Sequence, residues 1–379
     1  MRASFRLGRI AGVPVGVNWS VLVIFVLIAW ALSASLFPAS YPGHSPVAYV
    51  AAGLAAAVVF FLGLLAHEVA HAVVAKRNGI EVEGITLWLF GGVAELKGEA
   101  KDPGAELRIA GVGPLVSLII GLVFAAIAVV VAVSYGDGLL LGALSWLAGI
   151  NVLLAIFNVL PAAPLDGGRL LRAAVWKFTG DRTKASVVAA RAGWVLGVVL
   201  IGLGLWRFFT GAGFGGLWLA LIGWFLLGAA GQEERAARMG DALRGIRVGD
   251  VMTPQPQTAS GDLTVADFVD HYLFAYRHSA LPLTVDGRPV GLVTLDRVRG
   301  IAADRRASTT LAEVSCRADE LVLARPEEQL TDLLPRLNEC TDGRALVVVG
   351  DQLVGIVSPS DISRAVQRGS LRQQVPAGR

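Results

Sequence analysis

The sequence predicts a polytopic α-helical membrane protein of about six transmembrane helices with a re-entrant β-hairpin, followed by a C-terminal soluble α/β pair of repeats. Hydrophobic residues make up 54% of the 379 residues and charged residues 17%. Several apolar runs reach the roughly 20 residues that cross a bilayer, which makes lipid a partner of the first two-thirds. Beyond Gly231 the composition turns polar, which predicts a linker into a soluble domain. The net charge of only +3 gives no indication of nucleic-acid binding.

The first predicted span covers 13–37 and follows Arg2, Arg6 and Arg9. A secretory signal peptide is the alternative interpretation, because small residues stand near the end of the run. The run is long for a signal peptide, and the Asn-Trp-Ser sequence at 18–20 suits an interfacial helix end. We therefore predict an uncleaved first transmembrane helix.

The second predicted span, 47–75, contains a His-Glu-x-x-His motif at 67–71. On a helix, positions i and i+4 share one face, so His67 and His71 can direct their imidazoles at one metal ion. Glu68 can then act as general base toward a water that the metal activates. Ionisable groups in a membrane helix are expensive and usually functional. The alternative is a pair of core histidines beside a solvated glutamate.

The segment 85–96 carries β-forming residues on both sides of Gly91-Gly92, which predicts a hairpin. It is too short to span the membrane and too apolar for a solvated loop. A re-entrant or groove-lining hairpin is our interpretation, with protein or a water cavity covering its backbone. A plain amphipathic connector remains the alternative.

Four further apolar runs complete the predicted set of six spans. The third contains the small residues Gly111, Gly113 and Ser117, which predict a helix-packing face. The predicted bounds of these spans are 107–133, 139–160, 186–209 and 214–230.

The distribution of basic residues predicts the orientation. The loops 38–46, 134–138 and 210–213 contain no Lys or Arg. By the positive-inside rule both termini are cytoplasmic, as six spans require, in a multi-pass protein of the cell membrane, the inner membrane of a prokaryote. The basic residues assigned to the cytoplasmic side are Arg2, Arg6, Arg9, Lys76, Arg77, Lys97, Lys101, Arg108, Arg169, Arg172, Lys177, Arg182, Lys184, Arg235 and Arg238.

A hydrolytic zinc site usually has three protein ligands and one open position, so the His pair needs a third ligand. Asp166 is favoured because it follows the fourth span, at the depth of the histidines, among the turn-forming Pro161, Pro164 and Gly167. Its alternative role is to cap a helix that begins at Gly167. The candidates considered are Asn158, Asp166, Asp102, Glu95 and Glu99.

The His-Glu-x-x-His motif and the Asn-x-x-Pro-x-x-x-x-Asp segment at 158–166 together resemble the site-2 protease family of intramembrane zinc metalloproteases. The match covers about residues 5–230. The resemblance implies one zinc ion per chain, held by His67, His71 and Asp166, with Glu68 as catalytic base. It also implies that Asn158 hydrogen-bonds the substrate carbonyl or oxyanion. The implied substrates are single-span membrane proteins such as anti-sigma factors.

Two repeats follow the polar linker, and each predicts a strand-helix-strand-strand unit. The pair resembles tandem cystathionine-β-synthase (CBS) domains, which implies adenine-nucleotide binding. Ser358 and Asp361 match the family's Ser/Thr and Asp spacing, whereas Arg297 stands three residues after Thr294 in the first repeat. A purely dimerising module is the alternative, and a homodimer through this pair is an expected partner. The predicted domains are 1–231 (protease), 232–246 (linker), 247–306 and 307–369 (CBS repeats) and 370–379 (tail).

Two interpretations of function remain at this stage. The first is an intramembrane zinc metalloprotease modulated by a cytosolic CBS pair. The second is a transporter or channel with a CBS regulator, in which the His pair binds a permeant metal. Glu68 directly after the first histidine favours hydrolysis. The only cysteines, Cys316 and Cys340, predict neither a disulfide framework nor a thiolate metal site, and they fit a reducing compartment.

Overall fold

The computed structural model describes residues 4–88, 91–98, 100–271 and 279–373. The chain forms two compact units, Met1–Ala237 and Arg238–Arg379. The first contains the long helices, and the second contains the two repeats.

Within the described residues, six helical segments are long and apolar enough to cross a membrane, which confirms the predicted number. The first of them, Ser20–Ser40, passes through a π-helical turn at Leu32–Leu36, and the fifth ends in another at Phe208–Ala212. The helices of the first unit are α1 (Ser20–Ala31), α2 (Phe37–Ser40), α3 (Pro46–Arg77), α4 (Pro103–Tyr135), α5 (Leu139–Val159), α6 (Asp166–Thr179), α7 (Arg182–Arg207) and α8 (Phe214–Ala242).

A four-stranded sheet of β1 (Phe5–Ile10), β2 (Val13–Val17), β3 (Glu81–Trp88) and β4 (Gly91–Lys97) lies beside these helices in that order. The prediction that the first span begins at residue 13 is therefore wrong, because 13–17 is a strand and the helix begins at Ser20. Ala11 and Gly12 have φ of 51° and 73°, so they form a tight two-residue turn that pairs β1 with β2. Single-sequence periodicity could not separate this apolar strand from the apolar helix after it.

The hairpin predicted at 85–96 is present as the antiparallel pair β3–β4, and β2 adds to β3 in parallel. The connecting residues 89–90 lie outside the described part of the chain. Buried side chains of the sheet, among them Val13, Val15 and Ile85, pack against Ala72 of α3. The sheet is therefore attached to the helix that carries the His-Glu-x-x-His motif, and among the described strands β4 is an edge.

Small residues let the membrane helices approach closely. A Cβ at Gly121 of α4 would lie 2.8 Å from Val152 and 3.1 Å from the carbonyl oxygen of Ala148, both on α5. A Cβ at Gly193 of α7 would lie 1.9 Å from the carbonyl oxygen of Ala163. Glycine at these positions allows backbone contacts that any side chain would prevent.

Residues 232–242, predicted as a linker, continue α8 as helix. The helices that follow are α9 (Val248–Val251), α10 (Val265–His271), α11 (Leu295–Arg299), α12 (Leu311–Val314), α13 (Leu330–Leu333) and α14 (Pro359–Gln373). The strands are β5 (Thr253–Pro254), β6 (Ala280–Val285), β7 (Arg288–Thr294), β8 (Cys316–Arg317), β9 (Leu323–Ala324), β10 (Ala345–Val349) and β11 (Gln352–Val357).

The second unit contains two sheets that exchange strands between the repeats. The order in one sheet is β5-β11-β10-β9, and in the other it is β6-β7-β8. Thus β5, which precedes the first repeat's helix, pairs with the second repeat, and β8 pairs with the first. Each sheet covers its own buried cluster, one around Leu330 and Val347 and the other around Phe268 and Leu283.

A disulfide joins Cys316 to Cys340, so the prediction that the cysteines form no disulfide is wrong. Their Cα atoms are 5.6 Å apart. Cys316 lies on β8, the strand that joins the first repeat's sheet, and Cys340 precedes β10 of the second repeat. The exchange of strands brings the two thiols together, and their separation along the chain does not reveal it.

Candidate metal centre

Helix α3 begins at a cap in which the Ser45 side chain accepts a hydrogen bond from the Ala48 N–H, and it carries the His-Glu-x-x-His motif in its C-terminal half. His67, Glu68 and His71 are 3%, 9% and 6% exposed. All three polar groups are therefore buried in an otherwise apolar helix, where they need protein partners or a ligand. The alternative of a solvated glutamate beside the histidines is wrong, since Glu68 is buried.

Three donor atoms converge at one point. His67 Nε2 and His71 Nε2 are 3.1 Å apart, and each is 3.2 Å from Asp166 Oδ2. A tetrahedral zinc ion with ligands at about 2.0–2.1 Å separates neighbouring donors by about 3.3 Å. The spacing and the donor set of two imidazoles and one carboxylate therefore fit zinc.

The outer nitrogens of both imidazoles contact helix α4. His67 Nδ1 is 2.9 Å from Ser117 Oγ, and His71 Nδ1 donates to the carbonyl oxygen of Ile109 at 2.6 Å. A metal-binding histidine usually donates its other N–H in this way, which fixes its tautomer and ring orientation. These partners leave Nε2 of each ring facing the convergence point.

Gly113 lies on α4 between these two contacts. A Cβ built there would lie 2.1 Å from His71 Nε2 and 2.6 Å from His67 Nε2. Glycine therefore leaves the space in front of both donor nitrogens open. From sequence, Gly113 and Ser117 are predicted to serve helix packing, and no role is predicted for Ile109. The four-residue spacing of Gly113 and Ser117 was the available signal, whereas a backbone carbonyl gives none.

Asp166 reaches the histidines because α6 begins directly after the turn that ends α5. Gly167 and Gly168 lie against this turn, and a Cβ on either would be 2.1–2.4 Å from backbone atoms of 159–163. The helix begins at Asp166, and its N-cap is Leu165. The alternative role of Asp166 as a helix cap is therefore not observed.

The charge of Asp166 suits a divalent cation. Burial by itself raises the pKa of this carboxyl, but the facing imidazoles of His67 and His71 outweigh burial and hold the pKa below its usual range. The anionic carboxylate is the form that binds metal. His67, His71 and Asp166 are also the one His-Asp group in the described residues with metal-ligand spacing.

The other candidates for the third ligand have different surroundings. Asp102 caps α4 by accepting a hydrogen bond from the Ala105 N–H at 2.8 Å. Asn158 lies one residue before the end of α5 and is partly buried. Glu99 and the side chain of Glu95 lie outside the described part of the chain.

Glu68 lies beside the hairpin. Gly92 of β4 packs against the Glu68 side chain. A Cβ at Gly92 would lie 2.2 Å from Glu68 Cγ, so the strand reaches the carboxylate only because this residue is glycine. The catalytic candidate and an edge strand are thus in direct contact.

In the second unit, Ser358 and Asp361 line a cavity of about 320 Å³ together with Thr253, Ser279 and Arg344. Thr294 does not line it. That side chain is 1% exposed, and its hydroxyl has no hydrogen-bond partner among the described residues.

Comparison with known proteins shows which family the chain belongs to. Rip3 of Mycobacterium tuberculosis (strain H37Rv), which is named as a zinc metalloprotease, is 46% identical over 378 residues, 99% of this chain and 96% of that protein. The profile of Peptidase family M50 matches residues 55–140 and 136–201. The chain belongs to peptidase family M50. This is the site-2 protease family, and the CBS domain profile matches residues 248–304 and 312–368 of this M50 peptidase.

Two further relatives come from Methanocaldococcus jannaschii. A zinc metalloprotease is 29% identical over 377 residues, 99% of each chain. A solved site-2 protease structure is 30% identical, with a TM-score of 0.43. The match covers 61% of this chain and 95% of the chain in that structure. Family membership confirms the multi-pass membrane metalloprotease with a tandem CBS pair and disfavours the transporter or channel.

Proposed function

We propose that this M50 peptidase is a zinc endopeptidase that cleaves the transmembrane segment of single-span, membrane-tethered regulatory proteins, for example anti-sigma factors. The observation that supports this most is the convergence of two imidazole nitrogens and one carboxylate oxygen within 3.2 Å of one another, directly beside Glu68. These three donors form one closed set, which is the arrangement of a hydrolytic zinc site.

One zinc ion per chain would be held by His67, His71 and Asp166. Bound zinc supplies Lewis-acid activation of a water molecule and of a peptide carbonyl. Ser117 and the Ile109 carbonyl keep the imidazoles oriented, and Gly113 keeps the space before them free of side-chain atoms.

Glu68 is the proposed general base. It takes a proton from the attacking water and delivers it to the leaving amine. Gly92 of β4 packs directly against this side chain, which holds the carboxylate in place before substrate enters. Asn158 is the proposed hydrogen-bond donor to the substrate carbonyl or oxyanion, since it lies at the end of α5, shortly before Asp166.

The substrate helix must unwind locally, because helical hydrogen bonds hide its peptide bonds. Strand β4 is an edge among the described strands and contacts Glu68 through Gly92. We propose that the unwound substrate adds to this edge as an extended strand, which places its backbone beside the base.

The protein is proposed to lie in the cell membrane with both termini in the cytoplasm. The loops 38–46, 134–138 and 210–213 lack Lys and Arg, and this asymmetry supports the orientation. Reporter fusions after residues 43, 136 and 379 would test it, with the first two expected outside.

The CBS pair is proposed to bind an adenine nucleotide through the second repeat and so to modulate cleavage. Arg344 supplies a positive charge to the cavity of about 320 Å³ that Ser358 and Asp361 line. In the first repeat Arg297 donates to the backbone carbonyls of Cys340 and Val314, so this position holds an internal arginine instead of a carboxylate. A homodimer through the pair is the alternative use of the module.

The function is tested by co-expression with candidate single-span substrates, comparing wild type with Glu68→Gln. Glutamine keeps the shape of the side chain but cannot accept the proton, so cleavage should fall by at least about 10³-fold with zinc still bound. Normal cleavage by folded Glu68→Gln would mean that the base lies elsewhere.

A further inference from the structure

Glu106 is a fully buried carboxylate that the proposed reaction does not use. It lies in the first turn of α4 and is 0% exposed. Its Oε1 accepts hydrogen bonds from the guanidinium of Arg172, with Nε at 3.0 Å, and lies 3.6 Å from Nε of Arg169. Burial of such a charge is costly without close partners, so this cluster requires a reason.

Glu106 shares one face of α4 with the groups that orient the histidines. Glu106, Ile109, Gly113 and Ser117 follow one another at spacings of three, four and four residues, which places them along one side of a helix. All four are buried. This face therefore contacts His71 and His67 through Ile109 and Ser117, and it contacts two arginines through Glu106.

Both arginines belong to the helix that provides the third metal donor. Asp166, Arg169 and Arg172 stand on successive turns of α6 at three-residue spacing. The Glu106 ion pairs thus join the helix that orients both imidazoles to the helix that begins with Asp166. Among the described residues, these are the ion pairs that join α6 to this face of α4.

We propose that Glu106, with Arg169 and Arg172, is a positioning clamp that sets Asp166 at the correct separation from His67 and His71. The inference rests on the proposed metal centre and assigns these residues no contact with substrate. Nη1 of Arg172 also lies 3.5 Å from Oε1 of Glu233 on α8, which holds the guanidinium from a second side. A displacement of α6 along α4 would move Asp166 Oδ2 away from both Nε2 atoms and weaken the metal site.

The test uses full-length protein in detergent and the variants Glu106→Gln and Glu106→Asp. The first removes the charge and keeps the shape, whereas the second keeps the charge and withdraws it by one methylene. Two readouts are measured on folded, monodisperse protein. They are the rate of zinc loss to a chelator and the visible absorption spectrum of the Co²⁺-substituted protein, which reports ligand geometry.

Both variants should lose zinc about 10–100-fold faster than wild type, the range seen when groups that orient metal ligands are removed. Their Co²⁺ spectra should shift, and Arg172→Lys, which keeps the positive charge but loses the guanidinium fork, should show a smaller increase in the rate of zinc loss. The matched control is Arg191→Ala, which removes an arginine–glutamate pair of α7 and α8, in which Arg191 Nε lies 3.9 Å from Glu234 Oε1. This control should keep the wild-type rate and spectrum.

Wild-type zinc retention and an unshifted spectrum in folded Glu106→Asp would overturn the clamp, since a merely structural ion pair predicts that result. If Glu106→Gln does not fold, Glu106→Asp and Arg172→Lys decide by the same two readouts. A wild-type protein that binds no zinc contradicts the proposed metal centre itself, and the two failures are therefore distinguishable.

Discussion

Asp166, which is partly buried, and Asp361, which is buried, are both carboxylates in the first turn of a helix, yet their partners differ. Asp166 faces His67 and His71 of α3, a helix far away in sequence. Asp361 accepts hydrogen bonds from the N–H and the hydroxyl of Ser358, at 2.9 and 2.5 Å, and pairs with Arg364 of its own helix. Asp361 also accepts a long hydrogen bond from Thr253 Oγ1, at 3.5 Å, but its closest partners are local and give it a helix-initiating role, as in a capping box, whereas Asp166 has no such role.

The difference shows which buried acids indicate a ligand. Some carboxylates face side chains from distant segments that are themselves held by further hydrogen bonds. The tertiary fold creates such a contact, and helix initiation does not explain it. A carboxylate that is hydrogen-bonded mainly within its own helix is explained by helix initiation. A role in ligand binding then depends on the cavity that the carboxylate lines. The following substitutions separate these two cases.

The largest effect is expected at the metal ligands. His67→Ala and Asp166→Ala each remove one of three donors, so the near-stoichiometric zinc of purified wild type should be lost and cleavage abolished. Metal analysis by mass spectrometry measures this, with Asp361→Ala as the control that keeps its zinc. Full zinc retention in both variants would refute the assignment of His67 and Asp166 as zinc ligands.

Gly113→Ala should come next, because its methyl group would lie 2.1 Å from His71 Nε2. We expect zinc affinity to fall more than about 100-fold, beyond the usual effect of losing a group that orients a ligand. Gly111→Ala is the matched control on the same helix, where the added Cβ would lie 3.8 Å from Leu170 Cδ2, an ordinary contact. Equal zinc affinity of the two variants would contradict the open space proposed in front of the histidines.

Asn158→Ala tests the proposed oxyanion donor. Loss of one such donor costs about 10²–10³ in rate, so cleavage should slow by that factor while zinc content stays at the wild-type value. Single-turnover cleavage in detergent, with metal analysis of the same sample, measures both. A wild-type rate would leave Asn158 without a catalytic role.

Ser117→Ala removes the partner of His67 Nδ1 and leaves the metal ligands in place. Zinc affinity should fall about 10–100-fold, because the ring is no longer held in one tautomer and orientation. Competition with a chromogenic chelator measures the affinity, and Ser117→Thr, which keeps the hydroxyl, should recover part of it. No change in Ser117→Ala would mean that the hydroxyl only fills space.

The smallest effect is expected at Asp361. Asp361→Ala should weaken adenine-nucleotide binding about tenfold and destabilise the start of α14 by about 1 kcal/mol, since a helix-initiating hydrogen bond is lost. Calorimetry of full-length protein with ATP, ADP and AMP measures the binding. Asp296→Ala is the control, because that exposed carboxylate forms an ion pair only with Arg299 of its own helix among the described residues. Absence of binding heat for all three nucleotides in wild type would favour the dimerising module.

Much of the protein was predictable from local sequence. The six membrane helices follow from apolar length, the hairpin follows from β-forming residues around a glycine pair, and the repeats follow from self-similarity. His67, Glu68 and His71 needed only the i, i+4 geometry of one helix. These features depend on the period and composition of a single segment, so no tertiary contact is required to infer them.

The tertiary structure decided where segments meet. Arg169 and Arg172 were counted as loop charges that orient the protein, yet they pair with the buried Glu106. Cys316 and Cys340 both lie in the second repeat, and they meet because β8, which carries Cys316, joins the sheet of the first repeat.

The hydrogen-bond partners of the two histidines were also decided by the tertiary structure. The hydroxyl of Ser117 and the carbonyl of Ile109 are brought to the imidazoles by the packing of α4 on α3. A motif can name the atoms that bind a metal, because covalent helix geometry holds them together. The groups that orient those atoms come from other helices, and only packing determines which ones they are.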